Sequence, residues 1–500
     1  MSAIIPAASV LVARGPGSRE IFSILRGSQL RFFGGFWAFP GGKLAAEDDD
    51  PTIDPIQQKL RARRVAACRE LFEETGILIV RRPDGSFPTR DADLDRCRHA
   101  LLDGSLTFPH MLAERGLILC DGDFPLIGEI TTPAFAAVRY ATTFFTAHLP
   151  VGQEADIWPG ELESGEWIAI QDLLVRWRRG EICLTPPTAM TLQTLGQHPV
   201  ESAPQLLGPL LERLAQGAEH PIFIAPCVRM LPLKTVALAP STHTNAYFVG
   251  NGPCYLIDPG PDEPAEQARL FGVIDEQLQA GQSLTAIVLS HHHRDHVGAA
   301  VACANRFRLP IWAHARTAEK LQGRVPIART LCDGDRLGLG PSPGDGRPWS
   351  LEVLHTPGHA SGHLVFADSH YGLVFAGDMV STLSSMVIAP PDGDLALYLQ
   401  SLRRLRALPC RMLLPSHGNA STQAAQVIDA ALEHRAKRER QLLDTLATGP
   451  AAIDEMTERM YRGTPEALMH FARAQVLAGL LKLQAEGIAQ PVDEERWQLG

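Results

Sequence analysis

The sequence predicts a multidomain chain of mixed α/β and α+β class, and three observations carry that expectation. At 500 residues the chain exceeds what one hydrophobic core serves, because single cores stop growing at roughly 250–300 residues. Apolar runs of strand length alternate with helical patterns over residues 1–200 and again from about 225 to 430, the signature of sheets covered by helices. Beyond 430 the pattern becomes helical. The expected division is therefore a first domain over 1–200, a linker over 201–224, a second domain over 225–430 and a helical cap over 431–500.

Composition narrows the class. Hydrophobic residues at 45%, charged at 20% and aromatic at 6% are ordinary for a globular protein and exclude a disordered chain. Every apolar stretch is interrupted by Gly, Pro or a charge well before the roughly 20 residues a spanning helix needs. The opening "MSAIIPAASVLVARGPG" lacks a basic region ahead of its apolar one and meets Arg14 early, so it reads as a strand rather than a signal peptide. A cytoplasmic location is the expectation. Nine scattered cysteines with no CxxC pair fit reduced, structural thiols. A net charge of −10 disfavours a broad nucleic-acid surface.

Taken in order, "ASVLVA", "IFSILR" and "FFTAHLP" read as strands of the first domain, with a helix over 57–75 and a short acidic loop, "EDDDP", at 47–51. "LGQHPVESAPQLLGPLLERLAQGAEHP" reads as a short helix with loose ends. In the second domain the runs "AIVLSHHH", "PIWAHA" and "YGLVFAGD" each end in His or Asp, the usual place for function in α/β folds. "AAQVIDAALEHRAKRERQLLDTLA" and "ALMHFARAQVLAGLLKLQAEGIAQP" are helices, the latter with a Gly stop.

Two clusters carry chemistry. In "RELFEETGI" (69–77) a helix places Glu70 and Glu74 one turn apart on one face with Glu73 beside them. Such like charges cost a few tenths of a kcal/mol per pair, which a hard divalent cation would offset. Alone, the pattern is that of a solvated helix face. With the upstream "RGSQLRFFGGFWAFPGGK", however, Gly42, Arg69, Glu70, Glu73, Glu74 and Gly76 resemble the Nudix box, found in enzymes that cleave a nucleoside diphosphate linked to another group. The resemblance implies an α/β/α sandwich over 1–200 in which Glu70, Glu73 and Glu74 are catalytic. Glu70 and Glu74 would hold Mg²⁺ or Mn²⁺, with Arg69 and Gly42 in supporting roles. The interval between Gly42 and Arg69 is longer than the pattern's, with Asp48 in a glutamate's slot and Glu47 beside it. Similar insertions occur in the Nudix branch that hydrolyses coenzyme A and its esters, and "TTPAFAAVRYATTFF" (131–145) also looks like that branch.

The second cluster is "SHHHRDHVGA" (290–299), followed in order by "HTPGHASGH" (355–363), "AGDMV" (376–380) and "PSHG" (415–418). These islands, with "NAYFVGNGPCYLIDPG" (245–260), resemble the metallo-β-lactamase superfamily. The resemblance implies an αββα sandwich in which His291, His293 and His359 hold one Zn²⁺, Asp295, His296 and His417 hold a second, and Asp378 bridges both. Iron or manganese occupy similar sites in the superfamily. Two such metals can share a hydroxide by lowering the pKa of water from about 15.7 toward 7, and Asp295 joins the catalytic set. His292 matches no ligand position and is expected to pack or orient a neighbour. His363 is open between a supporting, substrate-facing or structural role.

"HRAKRERQLL" (434–443) and the last helix look like the superfamily branch called β-lactamase-like protein 2, whose winged-helix-like cap accompanies single-strand endoribonucleases among others. His434, Arg435, Lys437, Arg438 and Arg440 would then contact phosphates; a solvated helix face is the alternative. The whole reads as a fused metal-dependent hydrolase acting on a small molecule such as a coenzyme A ester, with no membrane partner and a homodimer left open. The rival reading is a ribonuclease site regulated by a nucleotide-binding Nudix module.

Overall fold

The computed structural model describes residues 3–30, 33–49, 55–136, 138–158, 160–493 and 495–500. The end of the "EDDDP" loop, Asp50 and Pro51, lies outside them. The chain forms two compact units, Met1–Pro226 and Cys227–Gly500. No helix among the described residues is long and apolar enough to cross a membrane.

The first unit is built on a mixed sheet. Its central strand, Ile4–Ala13, runs parallel to Arg139–His148 and antiparallel to Glu20–Arg26 and Gly41–Lys43. Side chains on a strand alternate between faces, and this strand is buried on both. Ala8, Val10 and Val12 join one core with Ala66, Leu71 and Phe72 of the helix Pro55–Thr75. Leu11 and Ala13 join another with Leu173, Trp177 and Leu192 of the helices Ile170–Arg178 and Pro186–Leu195. Helices therefore cover both faces. Residues 203–215, inside the stretch read as a linker, form a helix whose Leu207, Leu211 and Leu214 lie in the second of these cores.

The second unit holds two sheets. One has the strand order Ile327–Leu331, Ile311–His314, Ser283–Val288, Pro253–Ile257, His243–Val249, Val228–Lys234. Its outer face buries Leu270, Val273 and Ile274 of the helix Pro264–Gln279. The other runs Arg336–Pro341, Pro348–His355, Leu364–Asp368, Leu373–Gly377, Met412–Pro415 and packs the helix Leu395–Arg406 through Tyr398, Leu399 and Leu402. Between the sheets Tyr247 meets Phe375 edge-on at 5.2 Å, and the Tyr247 hydroxyl donates to the Pro415 carbonyl at 2.7 Å. That contact fixes one sheet's strand end against the other's. The chain closes with helices Ala424–Leu446, Ile453–Met460 and Met469–Ala485 and a small three-stranded sheet, which share a core of Leu446, Met456, Leu480 and Trp497.

Candidate functional site

In the second unit the four motif islands meet. His291 and His293 follow the strand Ser283–Val288, Asp295 and His296 open the next helical turn, and His359 follows the strand Pro348–His355. Asp378 follows Leu373–Gly377, and His417 follows Met412–Pro415. Among the described residues, His291, His293, His359 and Asp378 form one group of mutually close ligand atoms, and Asp295, His296 and His417 form another.

The donor set fits metal ions. His291 Nε2 and His359 Nε2 stand 2.9 and 3.0 Å from His293 Nδ1, near the roughly 3.3 Å edge of a tetrahedron with bonds of about 2.0–2.1 Å. Their other nitrogens are already engaged: His359 Nδ1 donates to the Val387 carbonyl at 2.8 Å, and His291 Nδ1 meets Ser290 Oγ at 2.9 Å. The converging atoms are therefore lone pairs. In the other group, His296 Nδ1 bonds Asp258 Oδ2 at 2.9 Å and His417 Nδ1 donates to the His243 carbonyl at 2.8 Å, so both present Nε2 inward. Buried His296 Nε2 and Asp378 Oδ1 have no hydrogen-bond partner, a costly arrangement unless a cation sits between them.

The electrostatics differ between the two groups. Burial, reinforced by neighbouring imidazoles, pushes His291 well below its ordinary pKa and His293 down to about 3. Those rings are neutral and ready to bind. Burial opposes charge on His417 as well, but Asp378 and Asp295 outweigh it and raise His417 to about 10; Asp295, Asp378 and Asp258 likewise raise His296. Metal entering that side must displace protons.

Several supporting residues were not singled out from sequence. Asp258, buried at the end of Pro253–Ile257 with φ +50°, accepts from the Ser290 amide and hydroxyl at 2.7 and 2.5 Å while holding His296. The Thr244 hydroxyl donates to Asp295 Oδ2 at 3.1 Å. The only sequence signal for Asp258 was its place after a strand in "IDPG". Asp258→Ala is expected to weaken metal binding by about 10- to 100-fold, the usual cost of losing such a partner. A chelator-competition titration checks this, and an unchanged affinity would remove Asp258 from the site.

His363 is fully buried, accepts the Asp378 amide on Nε2 at 3.0 Å and contacts Thr356 Oγ1 through Nδ1 at 2.9 Å. It thus seats Asp378 from behind. A Cβ on Gly377 (φ +53°) would fall 2.5 Å from His363 Nε2, so only glycine allows this approach. His292 is partly buried and lies 3.8 Å from Asp392.

One expectation for the cap helix is corrected. Arg435 is 5% exposed and its guanidinium is committed to the Met386 carbonyl and to Gln475 Oε1, so it cannot contact phosphate. Arg438 donates to the Met460 carbonyl at 2.7 Å and covers Tyr461. His434 is half-buried beside them; Lys437 and Arg440 are exposed. A charge run in sequence does not reveal which of its members point inward.

In the first unit, Glu70, Glu73 and Glu74 lie in the last two turns of Pro55–Thr75, stopped by Gly76 at φ +72°. Arg69 organises the cluster. It pairs with both oxygens of buried Asp48 at 2.9 and 3.0 Å and with Glu70 and Glu73 at 3.0 Å each. Asp48 is therefore a partner of Arg69. A Cβ on Gly42 would lie 2.3 Å from Glu70 Cδ, and the Gly41 amide donates to Glu74 Oε2 at 2.9 Å. Burial, partly opposed by Arg69, raises Glu70 to about 7; burial and Glu70 raise Glu74 well above the carboxylate range. Among the described residues, the three glutamates do not form a group of mutually close ligand atoms like those of the second unit.

Comparison with known proteins places these features. Residues 240–417 match the metallo-beta-lactamase superfamily model and 452–497 the beta-lactamase associated winged helix domain. A beta-lactamase-like protein 2 homolog of Drosophila melanogaster is 28% identical over 50% of this chain and 87% of its own. A hydroxyacylglutathione hydrolase of Bdellovibrio bacteriovorus is 30% identical over 37% of this chain and 67% of its own. The crystal structure of a NUDIX hydrolase from Alicyclobacillus acidocaldarius is 29% identical over 41% of this chain and 98% of its own, with a TM-score of 0.37. No Nudix family model matches the chain. With its histidines and aspartates converging at the strand ends of two packed sheets, and a winged-helix domain behind them, the chain belongs to the metallo-beta-lactamase superfamily and is a metal-dependent hydrolase.

Proposed function

We propose that the second unit is a dinuclear metal hydrolase of esters, thioesters or phosphodiesters, with zinc the ion its imidazole and carboxylate donors suit best; iron and manganese are the alternatives. Asp378 carries this reading. Its Oδ2 lies 3.4 Å from His359 Nε2 and its Oδ1 3.4 Å from His417 Nε2, so one carboxylate spans both donor sets. When bound, two divalent ions would supply Lewis acidity and a water acidified from 15.7 toward roughly 7. The chain's own part is to hold the imidazoles in fixed orientations with Nε2 or Nδ1 turned inward, through Ser290, Asp258 and the carbonyls of Val387 and His243. Asp295, with 20% of its side chain exposed against 6% for Asp378, is the acidic ligand nearest an entering substrate.

A thioester is the substrate class we favour. The name hydroxyacylglutathione hydrolase describes an acyl group carried on a thiol, and an acyl-coenzyme A shares that acyl–sulfur bond. For the first unit we propose a Nudix pyrophosphohydrolase using Mg²⁺ or Mn²⁺ at Glu70, Glu73 and Glu74, on coenzyme A or its esters. The approach of Glu70 to Gly42 and the Arg69 network support it. Nine scattered cysteines with no CxxC pair suit a reducing, cytoplasmic setting.

The test is mass-spectrometric product analysis of acyl-coenzyme A incubated with Zn²⁺ and Mg²⁺, using the unaltered chain, His293→Ala and Glu74→Gln. Release of the free acid, lost only in His293→Ala, is the expected result for the second unit. Cleavage at the pyrophosphate, lost only in Glu74→Gln, is expected for the first. Absence of both products would discard coenzyme A. Short fragments released from single-stranded RNA, and lost in His293→Ala, would assign a phosphodiester substrate instead.

A further inference from the structure

The cap does more than fill space behind the metal site. Val387, whose carbonyl accepts from His359 Nδ1, lies in the loop after Leu373–Gly377, and the peptide groups on either side of it are held by two residues of the C-terminal helices. Gln475, on Met469–Ala485, donates through Nε2 to the Met386 carbonyl at 3.0 Å and accepts the Ile388 amide on Oε1 at 3.3 Å. Arg435, on Ala424–Leu446, donates to the same Met386 carbonyl and to Gln475 Oε1. One amide and one guanidinium thus bracket Val387.

Placing a guanidinium here is expensive. Arg435 is 5% exposed, and among the described residues no carboxylate pairs with it, so its desolvation is offset only by neutral acceptors and by the face of Tyr398, 5.2 Å away. Tyr398 leads to the metal site by a second route. Its hydroxyl donates to the carbonyl of Met379, next to Asp378, at 2.7 Å, and its backbone fills the space where a Cβ on Gly358, next to His359, would lie. A methionine would pack the same volume without the charge. What the charge adds is a directed bond to the Met386 carbonyl, and that bond sets the orientation of the next peptide group.

We infer that Arg435 and Gln475 are positioning residues for the metal site, fixing the Val387 carbonyl and through it the tautomer and plane of the His359 imidazole. This rests on reading the His/Asp cluster as a two-metal site. An imidazole ligand whose far nitrogen loses its acceptor binds metal less tightly, so the winged-helix domain contributes to metal affinity without touching metal or substrate.

The experiment is a Co²⁺ titration of the full metal-free chain against a competing chelator, followed by the ion's visible absorption. Gln475→Ala and Arg435→Met are expected to weaken one of the two Co²⁺ sites by about 10- to 100-fold and to alter that site's spectrum, leaving the other site intact. Arg435→Lys, which keeps a donor, should recover part of the loss. Arg438→Met removes a bond to the Met460 carbonyl among the same C-terminal helices but does not reach the loop, and should leave both sites unchanged. If Arg435→Met does not fold, Gln475→Ala decides alone. Two unchanged sites in Gln475→Ala, or an equal loss in Arg438→Met, would overturn the inference. An unaltered chain that takes up no second Co²⁺ would instead overturn the two-metal reading, and the inference would fall with it.

Discussion

Asp378→Ala is expected to abolish hydrolysis by the second unit and to leave it retaining at most one metal ion. The loss should exceed the roughly 10–100-fold that follows removal of a residue supporting a ligand, because Asp378 faces both donor groups directly. Its Oδ2 lies 3.4 Å from His359 Nε2 and 4.0 Å from His291 Nε2; its Oδ1 lies 3.4 Å from His417 Nε2 and 3.5 Å from His296 Nε2. It is also the buried negative charge between them, and two cations brought close without it would repel. The remaining groups are unequal. The His291, His293 and His359 rings are held neutral by burial and by one another, so that side can still take an ion. Losing Asp378 removes from His417 its largest opposing charge but not its contact with Asp295, leaving two imidazoles and one carboxylate for the other ion. Asp378→Asn separates charge from shape: it should retain the fold and lose the second metal. Metal content after gel filtration, measured with acid release from a thioester, checks both variants. Two metals retained with activity near the unaltered level would show that Asp378 bridges nothing.

The parts of this site visible in sequence are those whose chemistry is compressed into short motifs at strand ends. "HHHRDH" puts four potential ligands within six residues, and "TPGH", "GD" and "SHG" repeat the device at later strands, so the islands could be read before knowing that they meet. The glycines in them follow from the same crowding: Gly377 leaves room for His363. Residues that act through one further bond were not visible. Asp258 is a single carboxylate in an ordinary turn, and its role depends on a bond across 38 residues to His296. Arg435 was misread for a related reason. In a helix rich in Arg and Lys, periodicity predicts a charged face, and only the loop at Met386 shows that one of those charges is turned inward. The stretch around 203–215 reads in sequence as a short helix with loose ends; Gly208 and Pro209 lie inside that helix, yet its leucines at 207, 211 and 214 share one face and are buried there. Asp48 shows the limit of matching slots. It occupies a glutamate's place in the Nudix pattern, but its neighbour in space is the Arg69 guanidinium.

Without divalent cation, the first unit is expected to lose stability as pH rises through about 7, and Mg²⁺ is expected to restore it chiefly on the alkaline side. Burial, despite the opposing charge of Arg69, raises Glu70 from 4.5 to about 7, and burial with the nearby Glu70 carboxylate raises Glu74 well above its ordinary value. A carboxyl group whose folded pKa lies above its unfolded value binds its proton more tightly in the folded state. Its contribution is fully present below about 4.5 and is lost as pH climbs through about 7 for Glu70, on the order of 3 kcal/mol for a shift of this size. A hard dication supplies the missing counter-charge once those protons leave, so its affinity must rise over the same interval. Glu74→Gln removes one of the carboxylates and cannot ionise. It should flatten the pH dependence of stability and, at the same time, eliminate the pyrophosphate cleavage proposed for this unit. Thermal melts from pH 5 to about 8.5 with and without Mg²⁺, followed by tryptophan fluorescence, read the first effect separately from turnover. Melts that are independent of pH and unaffected by Mg²⁺ in the unaltered chain would mean that Glu70, Glu73 and Glu74 hold no cation, and that Arg69 and Asp48 maintain a structural cluster rather than a catalytic one.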